Sequence, residues 1–162
     1  MKRNPLPTAK QFLGTIFLNG FVGCVVLHFL TFVFGDKSLF SLPQFGDMSR
    51  WERILWQLPG LGLSFSLLWV RLIRDGRKEM QVPWNTAILH GIVTGFGNIL
   101  FTGFLIGTIS GNIAVGLMMA LIAFATLLLQ PNLVIAIICL GAILGYYNGK
   151  QAQNWLTENY KE

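Results

Sequence analysis

The sequence predicts an all-α integral membrane protein. It reads as a single polytopic domain over residues 1–162, a bundle of five transmembrane helices with four as the fallback, tightly packed through Gly and Ala and kinked by proline in its second helix. Three observations carry this. Only 12% of the residues are charged while 53% are hydrophobic, against about a quarter charged in soluble domains. The charges leave long gaps, with none between Lys10 and Asp36, between Arg53 and Arg71, or between Glu79 and Lys150. A bilayer crossing needs about 20 mainly apolar residues, so the longest gap has room for three crossings and the others for one each. Finally, glycine recurs inside the longest gap at 91, 95, 97, 103, 107 and 111, although each glycine in a helix costs about 1 kcal/mol relative to alanine. Close approach of helix backbones, which drives association where lipid is as apolar as leucine, accounts for that cost.

The first span is expected at 12–34. Its apolar run is longer than the roughly 7–15 residues of a signal-peptide core and has no A-x-A cleavage pattern, so it reads as a retained span. A loop rich in turn formers follows over 36–53. Within it Ser49-Arg50-Trp51-Glu52 has the S-x-x-E spacing of a capping box, which satisfies free amides at a helix start. The second span is expected at 54–74, bent at Pro59 and flanked by Gly60 and Gly62. Trp51 and Trp56 suit one membrane interface, and Trp69 and Trp84 the other. The third span is expected at 84–108, with 109–112 as a tight turn. The fourth and fifth are expected at 113–129 and 133–147, separated by Gln130-Pro131-Asn132, because proline cannot continue a helix ladder. These last two could instead form a re-entrant pair. A polar tail over 148–162 is expected on the side opposite the N-terminus.

The net charge of +5 reads as topology rather than as a nucleic-acid surface. Lys2, Arg3 and Lys10 precede the first span, and Arg71, Arg74, Arg77 and Lys78 follow the second. Cytoplasmic loops carry the excess of Lys and Arg, so the N-terminus is expected in the cytoplasm. The basic cluster could also contact anionic lipid headgroups.

On a helix at 100° per residue, Gly91, Thr94, Gly95, Asn98 and Thr102 share one face of the third span, while Gly103, Gly107 and Gly111 form a second stripe. Two stripes imply two neighbours. The fifth span repeats the spacing at Gly141, Gly145 and Gly149.

Candidate ligand-binding residues are Asn19 of the first span with Thr94, Asn98 and Thr102 of the third, because polar groups at membrane depth rarely face lipid. They would form a polar seam between spans one and three, which either binds a small molecule or only holds two helices together by hydrogen bonds of about 0.6–2 kcal/mol each. His28 and His90 are the candidate cofactor ligands, each able to hold a haem or chlorophyll metal through a ring nitrogen. No cofactor is expected from the sequence alone. A shared bis-histidine site is disfavoured by depth, since His28 lies about 24 Å along its helix and His90 only about 9 Å along its own. The two cysteines, Cys24 and Cys139, read as packing residues rather than as a disulfide or zinc site. No paired intramembrane carboxylates, nucleophile elbow, zinc-protease helix or phosphate loop is present.

These features point first to a non-enzymatic structural or accessory subunit of a larger membrane complex, in contact with lipids and other membrane subunits. The alternatives are a small-solute binding or transport component using the polar seam, and a pigment- or haem-binding subunit.

Overall fold

The computed structural model describes residues 7–34 and 49–160; of the expected loop over 36–53, residues 36–48 fall outside them and 50–53 are helical. Among the described residues the secondary structure is all helical, in five helices: α1 (Ala9–Phe34), α2 (Arg50–Gly76), α3 (Trp84–Ser110), α4 (Ile113–Leu128) and α5 (Pro131–Asn159). Of these α1, α3 and α5 are long and apolar enough to cross a membrane. The charge-free stretch of α2 is shorter and carries Gln57, Pro59, Ser64 and Ser66, and α4 has only 16 residues.

Local signals start α2, α4 and α5 close to where the sequence reading expects. Ser49 caps α2: its hydroxyl accepts from the Glu52 amide at 3.4 Å, and the Ser49 amide donates to the Glu52 carboxylate at 2.7 Å. Hydrogen bonds to the Glu52 carboxyl from the Ser49 side chain first, and then from the Ser49 backbone amide, hold it below its usual range. Pro59 lies inside α2 without ending it. Asn112 caps α4, its side-chain oxygen accepting from the amides of Ala114 and Val115 at 2.9 and 3.1 Å. The chain breaks at Leu129 and Gln130, whose amides fold back to Thr126 and Leu127 in the tighter i→i−3 pattern. Pro131 then opens α5 at its first turn, where its missing N–H is no loss.

Glycine contacts define the packing. A methyl group added at Gly107 would meet Gly116 Cα and the Val115 carbonyl at 2.8 Å, and one at Gly103 would meet the Met119 carbonyl at 3.1 Å. One added at Gly95 would meet Ile137, and one at Gly91 would strike the backbone of Gly141 and Gly145. The two stripes of α3 therefore do face two neighbours, α4 near its C-terminal end and α5 along its N-terminal half.

The same contacts overturn the expected path of the last two helices. Moving down α3 from Gly107 to Gly103 moves up α4 from Gly116 to Ala120, and moving from Gly95 to Gly91 moves up α5 from Ile137 to Gly145. Both α4 and α5 are antiparallel to α3, so they run in the same sense. The Gln130 break is a step in a descending path and not the hairpin that a re-entrant pair or two alternating spans would need.

The expected polar tail is likewise corrected. α5 continues past Tyr147 to Asn159, and its last turns dock at the end of the bundle that carries the basic loop. Leu156 lies against Gly76, and Ala152, Trp155 and Leu156 are buried. The Gln153 carboxamide accepts from the Val82 amide at 2.7 Å and donates to the Met80 carbonyl at 3.2 Å. Met80 has φ 54°, the left-handed conformation that lets the 76–83 connection turn back. Residues 152, 155 and 156 have the i, i+3, i+4 spacing of an inward helix face, a signal masked by the surrounding polar residues. Trp51 and Trp84 are well exposed, whereas Trp69, expected at an interface, is buried in the core; the Trp56 side chain lies outside the described residues.

Candidate functional site

The expected seam between the first and third spans does not form. Asn19 is fully buried and turns to α2 and α5 instead. Its amide donates to Ser66 Oγ at 3.4 Å and to Asn148 Oδ1 at 3.3 Å, and Asn148 Nδ2 donates back to Asn19 Oδ1 at 3.4 Å. Asn148 Nδ2 also donates to the Leu144 carbonyl at 2.7 Å, and the Ser66 hydroxyl to the Gly62 carbonyl at 2.5 Å. The Asn19–Asn148 pair is long but reciprocal, so each carboxamide finds both a donor and an acceptor. This triad locks α1, α2 and α5 together. The physical reason for the change of partner is rotation: α1 packs on α2 and α5, and its polar face follows them.

Asn98 and Thr102 form a different site with α2. They are 1% and 2% exposed, yet Asn98 Oδ1 and Thr102 Oγ1 have no hydrogen-bond partner. Both face Gly60, where an added methyl group would lie 2.5 Å from Asn98 Oδ1 and 3.4 Å from Thr102 Oγ1. Beside them Asn98 and buried Gln57 line an internal cavity of about 20 Å³, completed by Leu27, Leu61, Leu133 and Ile137. A single water needs roughly 10–15 Å³ by this measure. Two helix interruptions converge at this depth. Pro59 precedes Gly60 on α2 and leaves the Leu55 carbonyl without its helical donor, and Leu133 belongs to the first turn of α5, just after the Gln130 break.

Thr94 stands apart from both sites. It is half-buried, and its hydroxyl donates to the His90 carbonyl at 2.7 Å within its own helix. His90 is half-buried with Nδ1 enclosed and unpartnered, and it lies between two surface grooves at the α2–α3 boundary. The His28 side chain lies outside the described residues. Among the described residues no group of three or more His, Cys, Asp or Glu side chains could hold a metal ion, and Cys24 and Cys139 are free thiols.

Three polar residues of these sites, Gln57, Ser66 and Asn148, are absent from the sequence-derived candidates. Gln57 sits two residues before Pro59, and Asn148, which follows the Gly141–Gly145 stripe that packs on α3, turns to Asn19 of α1. Ending the fifth span at 147 hid Asn148 from view.

Comparison with family models, curated proteins and solved structures finds no match to this chain.

Proposed function

We propose that this chain is a non-enzymatic, multi-pass integral membrane protein that binds or conducts a small polar solute at the Gln57–Asn98–Thr102 site. The observation that carries the reading is the pair of unpartnered, fully buried oxygens on Asn98 and Thr102, with Asn98 and Gln57 giving an otherwise apolar cavity its polar groups. An unsatisfied buried polar group costs about 1–3 kcal/mol, a cost that a bound polar solute or water at this cavity would relieve. The site lies beside the hydrogen bond that Pro59 removes from the α2 ladder and beside the α4–α5 break, and discontinuous helices are how secondary transporters expose polar groups to a substrate. The small-residue faces that suggested a complex subunit are engaged within this bundle.

The accessory-subunit reading stands second. The self-contained Asn19–Ser66–Asn148 lock favours it, as does a cavity no larger than a water or so. Stopped-flow permeability of liposomes containing the purified protein separates the two. With water, urea and glycerol as probes, the expected result is a permeability above that of empty liposomes for at least one of them, lost in Asn98→Leu. Rates equal to protein-free liposomes for all three would overturn the solute reading in favour of the scaffold. Native mass spectrometry would then look for the partner subunits.

The proposed topology has four crossings, with α1, α2 and α3 alternating and α4 and α5 sharing the fourth, so that the N-terminus, the basic loop and the C-terminus all lie in the cytoplasm. Single cysteines at Lys10, Lys78 and Glu158, in a background lacking Cys24 and Cys139, should label from the cytoplasmic face, and one at Ser110 from the other. Labelling of position 158 together with 110 would reject four crossings and restore five.

A further inference from the structure

The groove between α2 and α3 at the basic-loop end has a polarity gradient suited to one kind of occupant. Its walls are Ser64, Leu67, Leu68 and Arg71 of α2 and His90, Val93 and Thr94 of α3, and it encloses about 220 Å³. The cationic and imidazole groups lie at the Trp84 end of α3, and the leucines and Val93 lie deeper. We propose that this groove is a binding site for a single anionic phospholipid, with the headgroup phosphate on Arg71 and His90 and an acyl chain along Leu67, Leu68 and Val93. The inference rests on the membrane reading above but not on the solute site.

The chemistry selects among the neighbouring charges. Arg71 is 58% exposed and keeps one edge on Asp75 at 3.6 Å, while Asp75 is also 3.4 Å from Arg74. Asp75 thus sits between two guanidiniums and holds both, leaving a net positive charge at the groove mouth. A guanidinium has five N–H donors in a planar fork, so pairing with one carboxylate leaves donors free for a phosphate oxygen, and such charge-assisted bonds are the strong ones. His90 Nδ1 is enclosed, which leaves Nε2 as the ring nitrogen able to donate to the same headgroup. The adjoining groove, on the other side of His90, is lined by Asp75 and Glu79 and repels a phosphate. Residues 71–79 carry four cations against two carboxylates, and this local excess sets the sign of the partner. Of those cations Arg71 alone lines the groove. Diffuse attraction to an acidic leaflet does not depend on which cation is removed; a groove does.

Native mass spectrometry of the full chain, released from mild detergent with equimolar dioleoyl phosphatidylglycerol, phosphatidylethanolamine and phosphatidylcholine, tests this. The expected result is one retained phosphatidylglycerol per chain, preferred by roughly tenfold over the other two, as for one hydrogen bond to a charged group. Arg71→Gln and His90→Gln should each erase the preference while Lys78→Gln, an equal loss of charge outside the groove, keeps it. A melting curve matching the wild type shows that each variant is folded, and Leu67→Trp, which fills the groove without changing charge, serves as the second variant if Arg71→Gln melts early. Equal retention of all three lipids, a preference for phosphatidylethanolamine, or the same loss in Lys78→Gln as in Arg71→Gln would overturn the site. Recovery of the chain in the soluble fraction would instead overturn the membrane reading.

Discussion

Gly91→Leu is expected to prevent the bundle from assembling. A methyl group at Gly91 already meets the Gly141 carbonyl and Gly145 Cα, and one at Gly145 meets the Ala87 carbonyl at 2.5 Å and Gly91 Cα at 2.9 Å. The obstacles are backbone atoms on a facing helix, which cannot rotate away as a side chain can. Overpacking a core costs about 1–3 kcal/mol even where side chains can yield, so a cost above that range is expected here, together with the loss of many small dispersion contacts along α3 and α5. The neighbouring glycines should grade by what they meet. Gly107→Leu, against Gly116 Cα and the Val115 carbonyl at 2.8 Å, should be nearly as damaging. Gly95→Ala should be tolerated, since the nearest atom is the Ile137 methyl at 3.2 Å and side chains can adjust. Gly97→Ala should be silent or slightly stabilising, because nothing lies within 4 Å and alanine is the better helix former. Leu128→Ile, on a 62% exposed position, should change little. Thermal unfolding in detergent ranks the series, and a Gly91→Leu variant that melts with Gly97→Ala would sink the close-packing account of α3.

The second large effect concerns two asparagines that look alike in sequence. Asn148→Leu should cost about 1–3 kcal/mol, because it strands the fully buried Asn19 carboxamide with only Ser66 Oγ in reach. Asn98→Leu should leave stability unchanged or raise it, because Asn98 Oδ1 has no partner to lose. Had Asn98 made an interhelical hydrogen bond, one of the two sequence readings of the seam, the same change would cost about 1 kcal/mol; its unpartnered oxygen reverses that expectation. Removing both members of the lock is informative too. Asn19→Leu with Asn148→Leu should cost less than the sum of the single changes, since replacing both partners leaves nothing unpaired. Additive losses, or an Asn98→Leu variant that melts earlier than Asn148→Leu, would show that the two sites have been assigned the wrong way round.

Much of the secondary structure was legible in the residues themselves, and the reason is range. The Ser49–Glu52 box, the Asn112 cap and the Gln130-Pro131 break each act through hydrogen bonds between positions two to four apart, so a short stretch of sequence contains the whole cause. The glycine periodicity of α3 was legible for the same reason: spacing on one helix states that two close neighbours exist.

The identity of the neighbours is a different kind of information. Helical spacing says that Asn19 and Asn98 each need a polar environment, but the rotation of α1 about its axis decides that Asn19 meets Ser66 and Asn148 while Asn98 meets only Gly60 and a cavity. A proline break states that a helix ends and leaves the new direction open, so Gln130-Pro131 could not distinguish a hairpin from the continued descent of α5 along α3. Nor could a polar tail announce that Ala152, Trp155 and Leu156 bury themselves against Gly76 and the basic loop. Sequence by itself determined where α2, α4 and α5 begin and which faces of the apolar helices must be covered, because those depend on bonds and spacings within one helix. Only the tertiary structure decided what covers each face, because register and rotation between helices are set by the summed packing of all five.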